Sequence, residues 1–199
     1  MSIQSVSLGP VFYMMLIIVA LLLGCGADSN SEQGGEDGGL RSEQLEQIKN
    51  KTASEYAAVK HVLPQDVEQW IGSEEHRPLL LDVREQVEFA VSHLQGAKQV
   101  QPDASALSLQ SGVLSGLAKD SRIVLYCSVG VRSAAMAKRL QDAGYSNVHN
   151  MNGSIFQWAN EDRPVYQNGE PAMKVHPYNK KGGKLLQASK RADVPDVDR

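Results

Sequence analysis

Beyond residue 40 the chain alternates short apolar runs with stretches of helical spacing. Leu45, Ile48 and Tyr56 recur at helical intervals in a charged segment, which predicts a peripheral helix over residues 41–54. Residues 58–62 read as a first strand. Pro64-Gln65-Asp66 then opens a helix to about Ile71, with proline early where its missing N–H costs little. Leu79-Leu80-Leu81 is a short apolar strand ending at Asp82; residues 85–92 read as helix and 98–100 as a brief strand. Residues 107–118 carry another helical pattern. Ile123-Val124-Leu125-Tyr126 is the most strand-like run, and its lack of polar alternation fits a central parallel strand covered on both faces. Over residues 133–143 Met136, Leu140 and Ala143 share a helical face, and Gly144 is a natural stop. Residues 147–151 predict a further strand, and Ser154 begins a last helical turn through Trp158. Strands alternating with helices at this spacing predict an α/β domain with a central parallel sheet flanked by helices.

Composition narrows the function. The 199 residues are 42% hydrophobic and 22% charged, which excludes collagen-like, coiled-coil and wholly disordered classes. Twenty Lys and Arg against 23 Asp and Glu leave a net charge of −3. That balance lacks the concentrated basic surface of a nucleic-acid protein, so no nucleic-acid partner is expected. Two cysteines cannot staple a small secreted scaffold, so each requires its own explanation.

The first 25 residues hold no charged side chain, and residues 11–23 (VFYMMLIIVALLL) are an unbroken apolar run. A spanning helix needs roughly 20 such residues, whereas the core of a secretory signal needs about 7–15. An uncleaved anchor with a chance cysteine is the competing reading. Residues 26–39 (GADSNSEQGGEDGG) are small, polar and acidic, as expected of a flexible tether. Leu22-Leu23-Gly24-Cys25 resembles the bacterial lipobox. That resemblance implies cleavage after residue 24 and lipidation of Cys25, with residues 25–40 as linker. It places the chain in the bacterial cell envelope, anchored in a membrane and facing the periplasm or exterior.

Cys127 follows the apolar strand and precedes a helix. Ligands gather at the carboxyl ends of parallel strands. In Cys127-Ser128-Val129-Gly130-Val131-Arg132-Ser133, Gly130 permits the backbone angles of a tight cradle. The next helix aims its positive end at the same place. Loop amides and helix terminus would favour an anion, including the thiolate itself, which makes Cys127 a candidate nucleophile. A buried cysteine closing a core strand is the bland alternative.

These residues resemble the rhodanese family. Cys127 to Ser133 fits its C-x-x-G-x-R-S loop, and Leu81-Asp82-Val83-Arg84-Glu85 with Phe89 fits its D-V-R-E…F segment. Ser92-His93-Leu94-Gln95-Gly96-Ala97 is similar to G-H-I-P-G-A. Gly144-Tyr145, Val148, Asn152-Gly153-Ser154-Ile155 and Trp158 resemble the closing stretch, with Ser154 where a second glycine is usual. The resemblance implies a three-layer rhodanese-like domain over residues 55–166 and sulfurtransferase activity without a cofactor. Cys127 would be catalytic. The loop residues Ser128, Val129, Gly130, Val131, Arg132 and Ser133 would bind a small sulfane-sulfur donor such as thiosulfate. Arg132 would either hold the anionic donor or brace the loop. With Cys25 lipidated no second thiol would be left to resolve the persulfide, so the acceptor is expected to be an external thiol or a partner protein.

The remaining polar residues take structural readings. Asp82 caps the helix after its strand, Arg84 makes an ion pair, and His93 is a hydrogen-bonded structural histidine. Glu85 and Glu88 share a solvated helical face. No histidine lies at metal-ligand spacing, so no metal site is expected. The C-x4-R spacing is one residue shorter than the phosphatase loop, which disfavours phosphate chemistry. A rhodanese-fold adaptor or redox sensor without turnover is the alternative from another class. Residues 167–199 read as a basic tail, partly ordered near residues 175–178 and solvated afterwards.

Overall fold

The computed structural model describes residues 33–75 and 77–195. The apolar run at residues 11–23, Cys25 and residues 26–32 of the tether lie outside them. The elements are α1 (Gln33–Glu55), β1 (Lys60–Val62), α2 (Pro64–Gly72), β2 (Leu79–Asp82), α3 (Gln86–Val91), β3 (Lys98–Gln99) and α4 (Ala106–Ser111). They continue with β4 (Ile123–Tyr126), α5 (Val131–Asp142), β5 (Val148–Met151), α6 (Ser154–Asn160), β6 (Val165–Gln167), β7 (Glu170–Ala172) and α7 (Lys180–Gly183). Five strands form a parallel sheet in the order β1-β5-β4-β2-β3. All four residues of β4 are fully buried. The continuous apolar run is what this position demands, because both faces of the central strand are covered.

Side-chain alternation divides the interior into two layers. Leu81, Leu125 and Val148 pack with Met136 and Leu140 of α5 on one face. Leu80, Val124, Tyr126 and Met151 pack with Ile155, Phe156 and Trp158 on the other. This is a three-layer α/β domain with helices on both sides of a parallel sheet.

Three expectations are corrected. Helix α1 begins at Gln33, within the stretch to residue 40 read as flexible linker. An Asp37–Arg41 pair at 2.8 Å spans one of its turns, while Leu45 and Lys49 are buried further along. The helical pattern over 107–118 ends at Ser111, where the Gly112 amide folds back on the Ser108 and Leu109 carbonyls. Gly116, at φ +74°, then turns the chain. The basic tail is not simply solvated beyond residue 178, since Leu185 and Leu186 are buried there. Strands β6 and β7 form a hairpin, the Val175 amide pairs with Lys190, and Val175 and Leu186 are fully buried against the second layer. Two adjacent leucines outweigh the local charge, since their burial stabilises the fold by roughly 1.5–3 kcal/mol each.

Candidate functional site

Cys127 leaves β4 at the carboxyl edge of the sheet with its side chain turned into the loop that follows. Gly130 carries φ +108°, and its amide donates to Cys127 Sγ at 3.2 Å. A Cβ there would meet atoms no nearer than 3.5 Å, so glycine is required by the backbone angle and not by space. Helix α5 starts one residue later, and the amide of Ser133 in its first turn also faces the sulfur. Burial pushes the thiol up, but the positive charge of Arg132 and hydrogen bonds from Ser133 and Gly130 outweigh it. The net effect holds the thiol below its ordinary value.

The loop is fixed from below by α6. The amides of Ile155 and Phe156 donate to the carbonyls of Cys127 and Ser128 at 3.2 and 3.0 Å. Ser154 adopts φ +51°, and its hydroxyl accepts from the Cys127 amide at 3.1 Å while donating to the Met151 carbonyl at 2.9 Å. The departure from glycine at this position therefore supplies a hydrogen bond to the candidate nucleophile's own backbone.

Glu88 overturns its expectation. It is fully buried, not solvated, because α3 turns it toward the loop. Its carboxylate meets Arg132 Nη1 at 2.8 Å and Nη2 at 3.0 Å, accepts from the Ser128 hydroxyl at 3.0 Å, and accepts from the Glu85 amide at 3.0 Å. Burial pushes the carboxyl up, yet the hydrogen bond and charge of Arg132 hold it below the usual carboxylate range. The legible signal was the loop's lone cation, since a largely buried guanidinium needs an anion. Asp82 likewise departs from its capping role: its carboxylate grips Arg84 Nε and Nη2, while Arg84 Nη2 also donates to the Ser92 carbonyl at 2.6 Å. Arg84 thus makes the structural ion pair, fully buried. The His93 ring stacks on Phe89 and places Nδ1 3.0 Å from the Leu94 carbonyl.

The loop residues therefore divide by direction. Gly130 and Ser133 face the sulfur; Ser128 and Arg132 engage Glu88. Val129 is half-buried against the second apolar layer and Val131 is exposed. The C-terminal segment completes the surround, placing the Tyr178 ring 4.8 Å from the guanidinium carbon of Arg132. Among the described residues no group of three His, Cys, Asp or Glu side chains is placed to hold a metal.

Residues 63–161 match the model of the rhodanese-like domain family. The chain carries a rhodanese-like domain. It is 32% identical over 112 residues to a probable adenylyltransferase/sulfurtransferase MoeZ of Mycobacterium tuberculosis, covering 56% of this chain and 28% of that protein. It is 29% identical over 86 residues to a tRNA uridine(34) hydroxylase of Erwinia tasmaniensis, covering 43% and 25%. The chain thus spans under a third of the length of either relative. A rhodanese-like domain protein of Staphylococcus aureus aligns with a TM-score of 0.45 at 22% identity, over 55% of this chain and 99% of that one.

Proposed function

We propose that the chain is a sulfurtransferase that carries sulfane sulfur as a persulfide on Cys127. The observation that carries this reading is the Gly130 amide held 3.2 Å from a sulfur whose anion is favoured by Arg132 and the start of α5. The thiolate attacks the outer sulfur of thiosulfate. An S–S bond forms to Cys127, the S–S bond of the donor breaks, and sulfite leaves with the electron pair. The same amides serve the persulfide anion. An acceptor thiolate or cyanide then attacks the terminal sulfur and Cys127 departs as thiolate. Arg132 braces the loop through Glu88 in this scheme, and backbone amides receive the donor. The sequence features around Cys25 support a lipid anchor at the bacterial envelope, and an external thiol or partner protein as acceptor.

Cys127 is only 1% exposed, which favours one further reading, a persulfide or redox sensor without turnover. The intact mass of the full chain after exposure to thiosulfate separates them. A gain of one sulfur that an added thiol removes supports the transferase, and Cys127→Ser abolishes the gain. A gain that no thiol or cyanide discharges supports the sensor; no gain on a reactive thiol removes thiosulfate as donor.

A further inference from the structure

Tyr178 meets Arg132 from a strained turn. Its φ is +69°, and the Asn179 amide donates across it to the Pro177 carbonyl at 2.8 Å, a γ-turn pattern that bulky residues rarely adopt. The Tyr178 amide donates to Nδ1 of the buried His176 at 3.0 Å, and Asn179 Oδ1 accepts from the Gly182 amide at 2.8 Å. A Cβ on Gly182 would lie 2.9 Å from the Pro177 carbonyl oxygen, so α7 is packed down on the turn. Buried Val175 and Leu186 fix the segment on either side. Strain of this kind persists only where the surroundings over-determine it, and it clusters at functional sites. Here it sets an aromatic ring against the loop's cation.

The neighbours of that guanidinium divide its surface. Nη1 and Nη2 donate to Glu88 at 2.8 and 3.0 Å, and Nη2 also donates to the hydroxyl of Ser128, the residue after Cys127, at 3.0 Å. The guanidinium carbon lies over the Tyr178 ring, 4.8 Å from its centroid and within reach of a cation–π contact. The side chain still keeps 24% exposure, so the ring covers surface that water would otherwise take. A charge acts more strongly where water is excluded. The charge of Arg132 favours the Cys127 thiolate, so what shields Arg132 from water also serves the sulfur.

We propose that Tyr178 is a positioning residue for the reaction at Cys127, holding the Arg132 guanidinium against the loop and keeping water from it. This rests on the reading of Cys127 as the reacting thiol. The charged groups packed around the loop are Arg132 of α5 and Glu88 of α3, with Arg84 acting on Glu88 from beyond β2. β5 and α6 bring the uncharged Asn150 and Ser154. The C-terminal segment adds Lys180, Arg191 and Asp193, which line a cavity together with Tyr178. Loss of the ring leaves all of these charges in place. It opens Arg132 to water, which screens the cation and disfavours the thiolate.

The test is the rate of iodoacetamide alkylation of Cys127 against pH in the full chain, resolved by peptide mass. Tyr178→Gly removes the ring and suits the positive φ, so the turn itself survives. It is expected to raise the thiol midpoint by about half a pH unit, roughly threefold less thiolate below the midpoint. Tyr178→Phe keeps the ring and is expected to leave the midpoint at the wild-type value. In a background of Glu88→Gln with Arg132→Gln, which removes both charges together, Tyr178→Gly is expected to move nothing. An unchanged or lowered midpoint in Tyr178→Gly, an equal rise in Tyr178→Phe, or a rise that persists without the ion pair overturns the proposal. Alkylation needs no sulfur donor. A raised midpoint in a chain that never loads sulfur would therefore refute the transferase reading alone, and sulfur loading with an unmoved midpoint would refute this one alone.

Discussion

Arg132 and Glu88, 44 residues apart in the chain, meet in a two-pronged ion pair that ties the start of α5 to α3 beside the sulfur. Glu88→Gln leaves a guanidinium that is 24% exposed facing a neutral amide. The expected loss is about 2–3 kcal/mol, below that of a fully buried pair because Arg132 keeps some water. Denaturant unfolding measures it. Because burial is outweighed and the folded carboxyl ionises below its unfolded value, this stabilisation is complete above the unfolded value. It disappears as pH falls through the folded one, so wild type and variant should converge in strong acid.

Ser154 combines an unfavourable backbone angle with two useful hydrogen bonds. Ser154→Ala keeps the positive φ and strands the buried Cys127 amide, and should destabilise by about 1–2 kcal/mol. Ser154→Gly relieves the backbone and should recover about half of that loss. Equal losses in the two variants, read from urea midpoints, would remove the backbone argument.

His149 gives the pH dependence a second component. Its ring meets Trp70 edge-on, and burial together with the charges of Lys60 and Arg122 lowers its pKa to about 4. The unfolded chain then binds the extra proton first. Stability should be full above about pH 6.5 and decline toward pH 4, by about 1–2 kcal/mol after allowance for partial solvation. His149→Gln should flatten urea midpoints compared at pH 7.5 and 5.

Leu186 tests the C-terminal segment. It is fully buried with Phe156 and Trp158, so Leu186→Ala should cost roughly 2–4 kcal/mol, whereas a solvated tail would lose almost nothing. Thermal or urea unfolding of the full chain distinguishes the two.

The legible parts of this protein are those where local pattern and tertiary environment agree. Strand β4 is read to the residue because four apolar side chains admit one environment, the sheet centre. The loop from Cys127 to Ser133 is equally plain, since its glycine and cation sit at fixed spacing. Glu88 was misplaced because its only sequence neighbour of like chemistry is Glu85, and two acids at helical spacing suggest water. Its actual partner, Arg132, lies 44 residues on, after β4, the strand that pairs with β2. Leu185 and Leu186 are hidden by surrounding lysines, and the helix predicted over 107–118 overruns α4 because glycines inside a periodic pattern, here Gly112 and Gly116, are weak punctuation. Tyr178 carries no sequence signal of its own; only the packing of the C-terminal segment on the second layer brings it to Arg132.

Tyr178 lies outside residues 63–161 yet rests on the guanidinium that braces the loop. Trimming the chain to the matched segment would strip one aromatic face from Arg132 and uncover Phe156 and Trp158. A fragment cut at those boundaries would be a different reagent from the intact protein, with its own loop mobility and its own thiol reactivity. Kinetic comparison with shorter relatives is meaningful only when the last 30 or so residues travel with the domain.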